Sequence, residues 1–287
     1  MRKKFPPLFI LMLILPTLAG AVEFSLKISG GINFVKMDNV NRVHKDWLEW
    51  IKRDAEVHAT FNFLGGSVPD FGSIVNFEGE LLLSINKNFA FSFGSGLLYG
   101  EIPQNQTETS IERVVGTFIH VHPLQISAIP MTISGYYFLN LTDRLQLFGR
   151  AGGGVILVKF VNRDGRRLTQ NKAWTYQKFN ITNAQSPMFL GAFGGVFEVE
   201  PGIRVFFESS YRRAQITGFS GTNGTVGQPG QTGNLYLYEE YDTERDIWTA
   251  QFNVWAEQPE GANFRNVQEA VIDLSGLSFK LGIIIRF

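Results

Sequence analysis

The feature that most constrains this chain is an alternation of apolar and polar residues, with a period of two, that recurs along its length. In Val22 to Phe34, the apolar residues Phe24, Leu26, Ile28, Ile32 and Phe34 are separated by Glu23, Ser25, Lys27, Ser29 and Asn33. Side chains on a strand point alternately to its two faces, so such a segment reads as a strand with a different solvent on each side. Residues 75–86 repeat the pattern, with Phe77, Leu81, Leu83 and Ile85 against Glu78, Glu80, Ser84 and Asn86. Residues 89–100 set Phe89, Phe91, Phe93, Leu97 and Tyr99 against Ala90, Ser92 and three glycines. Asn86-Lys87-Asn88 between them reads as a tight turn.

Further strands are expected within 125–139, 145–160, 187–199, 203–217 and 271–287. Asn140-Leu141-Thr142-Asp143 and Glu200-Pro201-Gly202 supply two more short turns. That gives eight strands, three short turns and four longer connections, at 35–74, 101–124, 161–186 and 218–270, with the two kinds of connection alternating. A soluble sandwich has no need of that alternation, whereas a membrane barrel places short turns at one end and long loops at the other. Tilted strands of about 9–11 residues suffice to cross a bilayer. The expected fold is all-β: one domain over 22–287, an eight-stranded antiparallel transmembrane up-and-down barrel with a short helix in its first extracellular loop. A ten-stranded barrel results if a hairpin in the fourth loop is counted.

The N-terminus agrees with export. Arg2, Lys3 and Lys4 precede an apolar stretch from Phe5 to Leu18, and Ala19-Gly20-Ala21 is a small-x-small cleavage triplet, so residues 1–21 are expected to be a signal peptide. Pro6, Pro7 and Pro16 leave the stretch too short for a spanning helix. Without its three basic residues the chain keeps 23 Lys+Arg against 26 Asp+Glu, a net charge of −3 that gives no reason to expect nucleic acid as a partner. Cysteine is absent, which excludes disulfides, thiolate metal sites and a lipid-modified cysteine. Stability then rests on burial and hydrogen bonding, and a closed barrel leaves no strand edge unpaired.

In the last strand Leu277, Phe279, Leu281, Ile283, Ile285 and Phe287 alternate with Ser278, Lys280, Gly282, Ile284 and Arg286. An alternating final strand ending in Phe is similar to the signal read by the outer-membrane barrel-assembly machinery, which marks Phe279, Leu281, Ile283, Ile285 and Phe287 as an assembly signal. In pattern and architecture, over most of Val22 to Phe287, the chain resembles the small OmpA/OmpX-like outer-membrane β-barrel superfamily. The resemblance implies a bacterial outer-membrane location, with outer-membrane lipid and the assembly machinery as partners.

Placing the apolar positions against lipid turns the others inward. Glu23, Glu78, Glu80, Glu198 and Glu208 then face Lys27, Arg150, Arg204, Arg212, Lys280 and Arg286 across the lumen. An eight-stranded barrel is only just wide enough for its own side chains, so these charges are expected to pair into an ionic network and not to line a pore. Gly149, Gly152, Gly153, Gly154, Gly191, Gly194 and Gly195 lie within strands with no helix or Lys-Ser/Thr after them, so they signal close packing and not a phosphate loop.

Specificity on such a scaffold belongs to its loops. Asn41 to Ala55 reads as a helix carrying Trp47 and Trp50, either lying at the membrane interface, binding a partner or folding over the barrel mouth. Lys45–Glu49 and Glu49–Arg53 are its expected i,i+4 pairs. Gly218 to Asn234 is too poor in apolar residues to order itself. Leu235 to Tyr241 and Ile247 to Trp255 read as an extracellular hairpin extending the barrel wall, with Tyr236, Tyr238, Tyr241, Trp248 and Trp255 exposed or half exposed as recognition or interface candidates. His120 and His122 share a strand face, but two neutral histidines make a weak metal site, and no metal or cofactor is expected. The expected role is non-enzymatic, envelope-structural or binding an extracellular ligand or surface partner. The alternatives are a lipid A-modifying enzyme using His44, His58, His120 or His122, and a narrow small-solute channel.

Overall fold

The computed structural model describes residues 22–170, 174–228 and 230–287; the expected signal peptide, 1–21, lies outside the described residues. β1 (Glu23–Val35) leads into a first loop with a helix, α1 (Asp38–Val57), and β2 (Asn62–Gly66). β3 (Ser73–Ser84) and β4 (Phe89–Ile102) precede a second loop with β5 (Thr109–Arg113) and β6 (Gly116–Val121). Then come β7 (Leu124–Asn140), β8 (Leu145–Leu168), β9 (Trp174–Glu200) and β10 (Ile203–Arg213). The fourth loop holds β11 (Gln215–Ile216), β12 (Ser220–Thr225), β13 (Gln231–Asp242), β14 (Ile247–Trp255), β15 (Phe264–Glu269) and β16 (Ile272–Asp273) before β17 (Gly276–Arg286).

Eight of these strands pair in a ring: β1, β3, β4, β7, β8, β9, β10, β17 and back to β1, every neighbour antiparallel. They are the eight segments marked by alternation, but the chain holds more strands than eight, the remainder lying in the loops. The ring is uneven. The β8–β9 ladder runs from Leu145↔Phe197 to Arg167↔Trp174, while β10–β17 ends at Arg212↔Gly276. Between Ser95↔Met131 and Leu98↔Ala128 the β4–β7 ladder is interrupted, at Pro130, which has no N–H to donate.

The faces of the ring fall as the alternation requires. Phe77, Phe93, Ile133, Phe189, Phe193 and Leu281 point outward and stay exposed, Phe193 at 68%. A band of this kind on all sides of a closed sheet has no place in water. The three short turns share one end. Asn86 Oδ1 accepts hydrogen bonds from the amides of Asn88 and Phe89, both at 2.9 Å, and Gly202 takes φ +86°, open to glycine at no cost.

The interior is layered. Nearest the short turns, Leu82, Ala90, Tyr136, Phe138, Phe148, Val196, Phe206 and Ile284 form an apolar cluster. Above it lies a layer of buried charges, and above that a larger apolar core in which Val40 and Val43 of α1 meet Ile156, Phe160, Ile216 and Phe252. Room for the charges comes from glycine. A Cβ on Gly94 would sit 2.8 Å from Glu80 Cγ, and one on Gly96 2.9 Å from Glu78 Cγ.

β8 and β9 continue beyond the ring and extend the same sheet on both sides. On one side β8 pairs with β6, β6 with β5 and β5 with β2; on the other β9 pairs with β12, β12 with β13 and β13 with β14. Much of the expected third loop, 161–186, is therefore strand. So is part of Gly218 to Asn234, expected to lack order. Its backbone bonds to the overlong β9, and a Cβ on Gly221 would lie 2.0 Å from the Ile181 carbonyl oxygen, so the glycine permits the approach. The expected hairpin exists as β13–β14 but stands outside the ring of eight paired strands. It does not simply extend the wall, because β14 lies against α1 and caps the mouth.

Candidate functional site

α1 is longer than the 41–55 span expected. Its buried face carries Val40, Val43, His44, Ile51, Asp54 and Ala55, a spacing that sets one side against the core. Asp38 in the first turn faces the positive end of the helix dipole. The expected Lys45–Glu49 and Glu49–Arg53 pairs do not form. Lys45 turns to Asp70 at 3.2 Å, Lys52 to Glu49 at 3.9 Å and Arg53 to Glu56 at 2.8 Å, because β3's approach offers Asp70 and i,i+3 partners lie as close.

The helix is fastened to the other loops by charge. Asp54, with no exposed surface, accepts from Arg113 of β5 at 2.8 Å and from Arg245 Nε at 3.0 Å. Glu239 of β13 gathers Arg42, Arg265 at 2.5 Å and Asn266 at 2.9 Å, and these donors hold its carboxyl below the usual range despite desolvation. Asp46 accepts the Ala250 amide at 2.9 Å, and Trp50 Nε1 donates to Asp242 at 2.8 Å. Buried ionic partners of this kind fix geometry more than they add stability.

Under the helix is a cavity of about 140 Å³ lined by Trp47, Trp50, His122, Asn162, Asp164 and Lys178 with part of β14. Trp47 Nε1 donates to Asp164 at 3.3 Å, and His122 Nε2 pairs with Asn162 Oδ1 at 2.8 Å. Burial raises the Asp164 carboxyl and lowers the Lys178 ammonium. Of the loop residues singled out by sequence, Trp47 and Trp50 reach this cavity. Tyr241, Trp248 and Trp255 are half buried, but Tyr236 and Tyr238 are buried, contrary to expectation: Tyr238 packs edge-on to Phe264 at 5.5 Å, and burial pushes its hydroxyl up to about 12. Asn162, Asp164 and Lys178 escaped sequence reading because they sit on strand extensions read as loop.

The histidines divide. His44 and His122 are buried with ring centroids 4.9 Å apart, while His120 faces Arg166 and Arg113 and His58 bonds Glu244 at 3.0 Å. Among the described residues no three His, Asp or Glu side chains gather around a metal position.

In the barrel, seven of the eleven charges proposed for the lumen lie in one buried layer. Lys27 contacts Glu80 at 3.0 Å and Glu208 at 2.5 Å; Arg150 contacts Glu80 at 2.9 Å and Glu208 at 3.3 Å; Lys280 contacts Glu78 and, at 3.2 Å, Glu208. Tyr136 donates to Glu80 at 2.8 Å. Arg212 is buried beside them, its Nη1 without a hydrogen-bond partner. The other four form two separate pairs toward the turn end, Glu198–Arg204 and Glu23–Arg286, at 3.3 and 3.4 Å. In the last strand Phe279, Leu281, Ile283 and Phe287 face outward and are exposed, and Ile285 is half buried.

No protein-family model matches the sequence, and no curated protein does. Among solved structures the chain is similar to Ail, the attachment invasion locus protein of Yersinia pestis, solved with the heparin analogue sucrose octasulfate: 10% identity, 93% of this chain and 97% of that chain, TM-score 0.34. It is also similar to the outer membrane protease OmpT from Escherichia coli: 8% identity, 93% and 96% coverage, TM-score 0.26. The ring of eight antiparallel strands, with short turns at one end, long loops at the other and an apolar band between, is the architecture of a transmembrane β-barrel.

Proposed function

We propose that this chain is an integral protein of the bacterial outer membrane, a sealed barrel that presents an ordered cap for binding at the cell surface and carries out no chemistry. The observation that bears most weight is the filled interior. The charge layer around Glu80 and Glu208 lies between two apolar clusters, which favours a closed lumen over a conducting one. The cavity beneath α1 gives the cap a place to bind. A lipid A-modifying role finds less support, since His44, His120 and His122 are buried in the cap, away from the lipid-facing band. Phe279, Leu281, Ile283, Ile285 and Phe287 fit an assembly signal read before the strand is paired.

The absence of cysteine makes a direct test simple. Single cysteines at Thr243, in the exposed β13–β14 turn, and at Lys87, in a short turn, are probed on intact cells with a membrane-impermeant maleimide. The expected result is labelling at 243 and not at 87, together with a heat-shifted gel band and no steady conductance in a planar bilayer. Labelling at both positions or neither would remove the membrane topology, and sustained conductance would remove the sealed lumen.

A further inference from the structure

We propose that the cavity beneath α1 binds a neutral saccharide chain, with Asp164 and Lys178 standing where two sugar subsites meet. The inference rests on the reading of the cap as a surface-facing binding element. A second cavity of about 290 Å³ adjoins the first, and Asp164 and Lys178 line both. Trp47 and Trp50 lie in the first and Trp174 in the second.

A sugar ring has an apolar C–H face and a rim of hydroxyls that both donate and accept. The site offers the complement of each. The ring N–H of Trp47 is engaged by Asp164 and that of Trp50 by Asp242, while His122 lies 5.1 Å from the Trp47 ring and Arg245 4.5 Å from that of Trp50. These indoles are fixed before any ligand arrives, so little side-chain freedom is lost on binding. Lys178 makes no ion pair among the described residues, although Asp164 and Glu240 act on it from nearby. Asn162 uses its carbonyl on His122 and keeps its N–H groups, and Gln251 lines the same wall. Hydroxyls satisfy an ammonium and a carboxylate together. A strongly anionic ligand would meet Asp164 and Glu240, and a cation would meet Lys178. The paired volumes suit a short chain of rings better than a single one.

The test uses the mature chain folded in a detergent without a sugar head group. Glucose and N-acetylglucosamine, each as monomer and linear trimer, are titrated by tryptophan fluorescence. A glycan array carrying neutral animal glycans and bacterial lipopolysaccharide core sugars separates the two sources. The expected result is saturable binding of at least one neutral oligosaccharide, tenfold or more tighter than its monomer, and weakened at least tenfold by Lys178→Met and by Trp47→Ala. If Trp47→Ala disturbs the cap, Lys178→Met alone decides. The site is overturned if no neutral oligosaccharide binds, if only sulfated glycans or free amino acids bind, or if Lys178→Met leaves binding unchanged. In each case a retained heat-shifted band and outside labelling at 243 keep the barrel reading standing, while their loss would count against that reading instead.

Discussion

Arg245, in the turn between β13 and β14, donates from Nε to Asp54 of α1 at 3.0 Å, joining the first and fourth loops across 191 residues of sequence. Arg113 of the second loop reaches the same carboxylate at 2.8 Å. Asp54→Asn leaves two guanidinium groups facing a neutral amide. Removing one partner of a buried ion pair costs about 3–5 kcal/mol, here discounted because both arginines are partly exposed. The expected outcome is faster proteolysis within 218–270 with an unchanged heat-shifted band; equal proteolysis rates would show that the cap does not depend on this lock.

In the lumen, Arg150 and Arg212 should behave oppositely. Arg150 touches Glu80, Glu208 and Ser134, so Arg150→Met strands carboxylates and should lower the unfolding midpoint in urea by an amount equivalent to about 3 kcal/mol or more. Arg212 forms no ion pair within 4.0 Å among the described residues and leaves Nη1 unpartnered, so Arg212→Met should be neutral or stabilising. Equal losses from the two substitutions would show that the layer acts as one undivided charge cluster.

Gly94 tests the packing of that layer. Its inward side faces Glu80, whose carboxylate is held by Lys27, Ser92, Tyr136 and Arg150 and cannot swing away cheaply. A Cβ would sit 2.8 Å from Glu80 Cγ and 3.1 Å from Thr132 Oγ1. Gly94→Val should therefore destabilise the barrel by about 1–3 kcal/mol, the usual cost of overpacking. Gly135→Ala, where a Cβ meets nothing within 4 Å, is the matched control. Refolding yield and urea midpoint in detergent measure both, and an unaltered Gly94→Val would show slack around Glu80.

The ring was legible because its cause is local. Each of Phe24, Ile28 and Ile32 and each of Lys27 and Ser29 announces its face by parity alone, and the short turns carry Asn, Pro and Gly where those residues are needed. Of the cap, the first-loop helix and the β13–β14 hairpin were legible, but the rest was not, because its order comes from partners far away in sequence. Ser220–Thr225 has no apolar periodicity and becomes a strand only because β9 offers it a free edge. Tyr238 looks like a surface aromatic until Trp255 of β14 and Phe264 of β15 pack their rings against it. The cavity residues Asn162, Asp164 and Lys178 share neither motif nor spacing with Trp47; the fold alone brings them together.

The cap should also respond to acid. Burial pushes His44 down to about 3 and His120 and His122 to about 4, against an ordinary value near 6.5. His122 and Asp70 act on His44, Lys178 and Asn162 on His122, and Arg166, Arg113 and Asp54 on His120. In an opened cap these rings regain their ordinary affinity, so the open state binds more protons between about pH 6.5 and 4. The closed cap thus keeps its full stability above pH 6.5 and loses it as pH falls through that window. Asp164 and Glu240, raised by burial, work the other way, while Glu239 and Asp242, held low by their donors, add to the loss at still lower pH. The expected outcome is a reversible red shift of tryptophan emission between pH 7.5 and 4.5, from Trp47 and Trp50, with its midpoint lowered by His44→Leu. Emission that stays constant across the window, in wild type and variant alike, would mean that the buried imidazoles take no part in holding the cap shut.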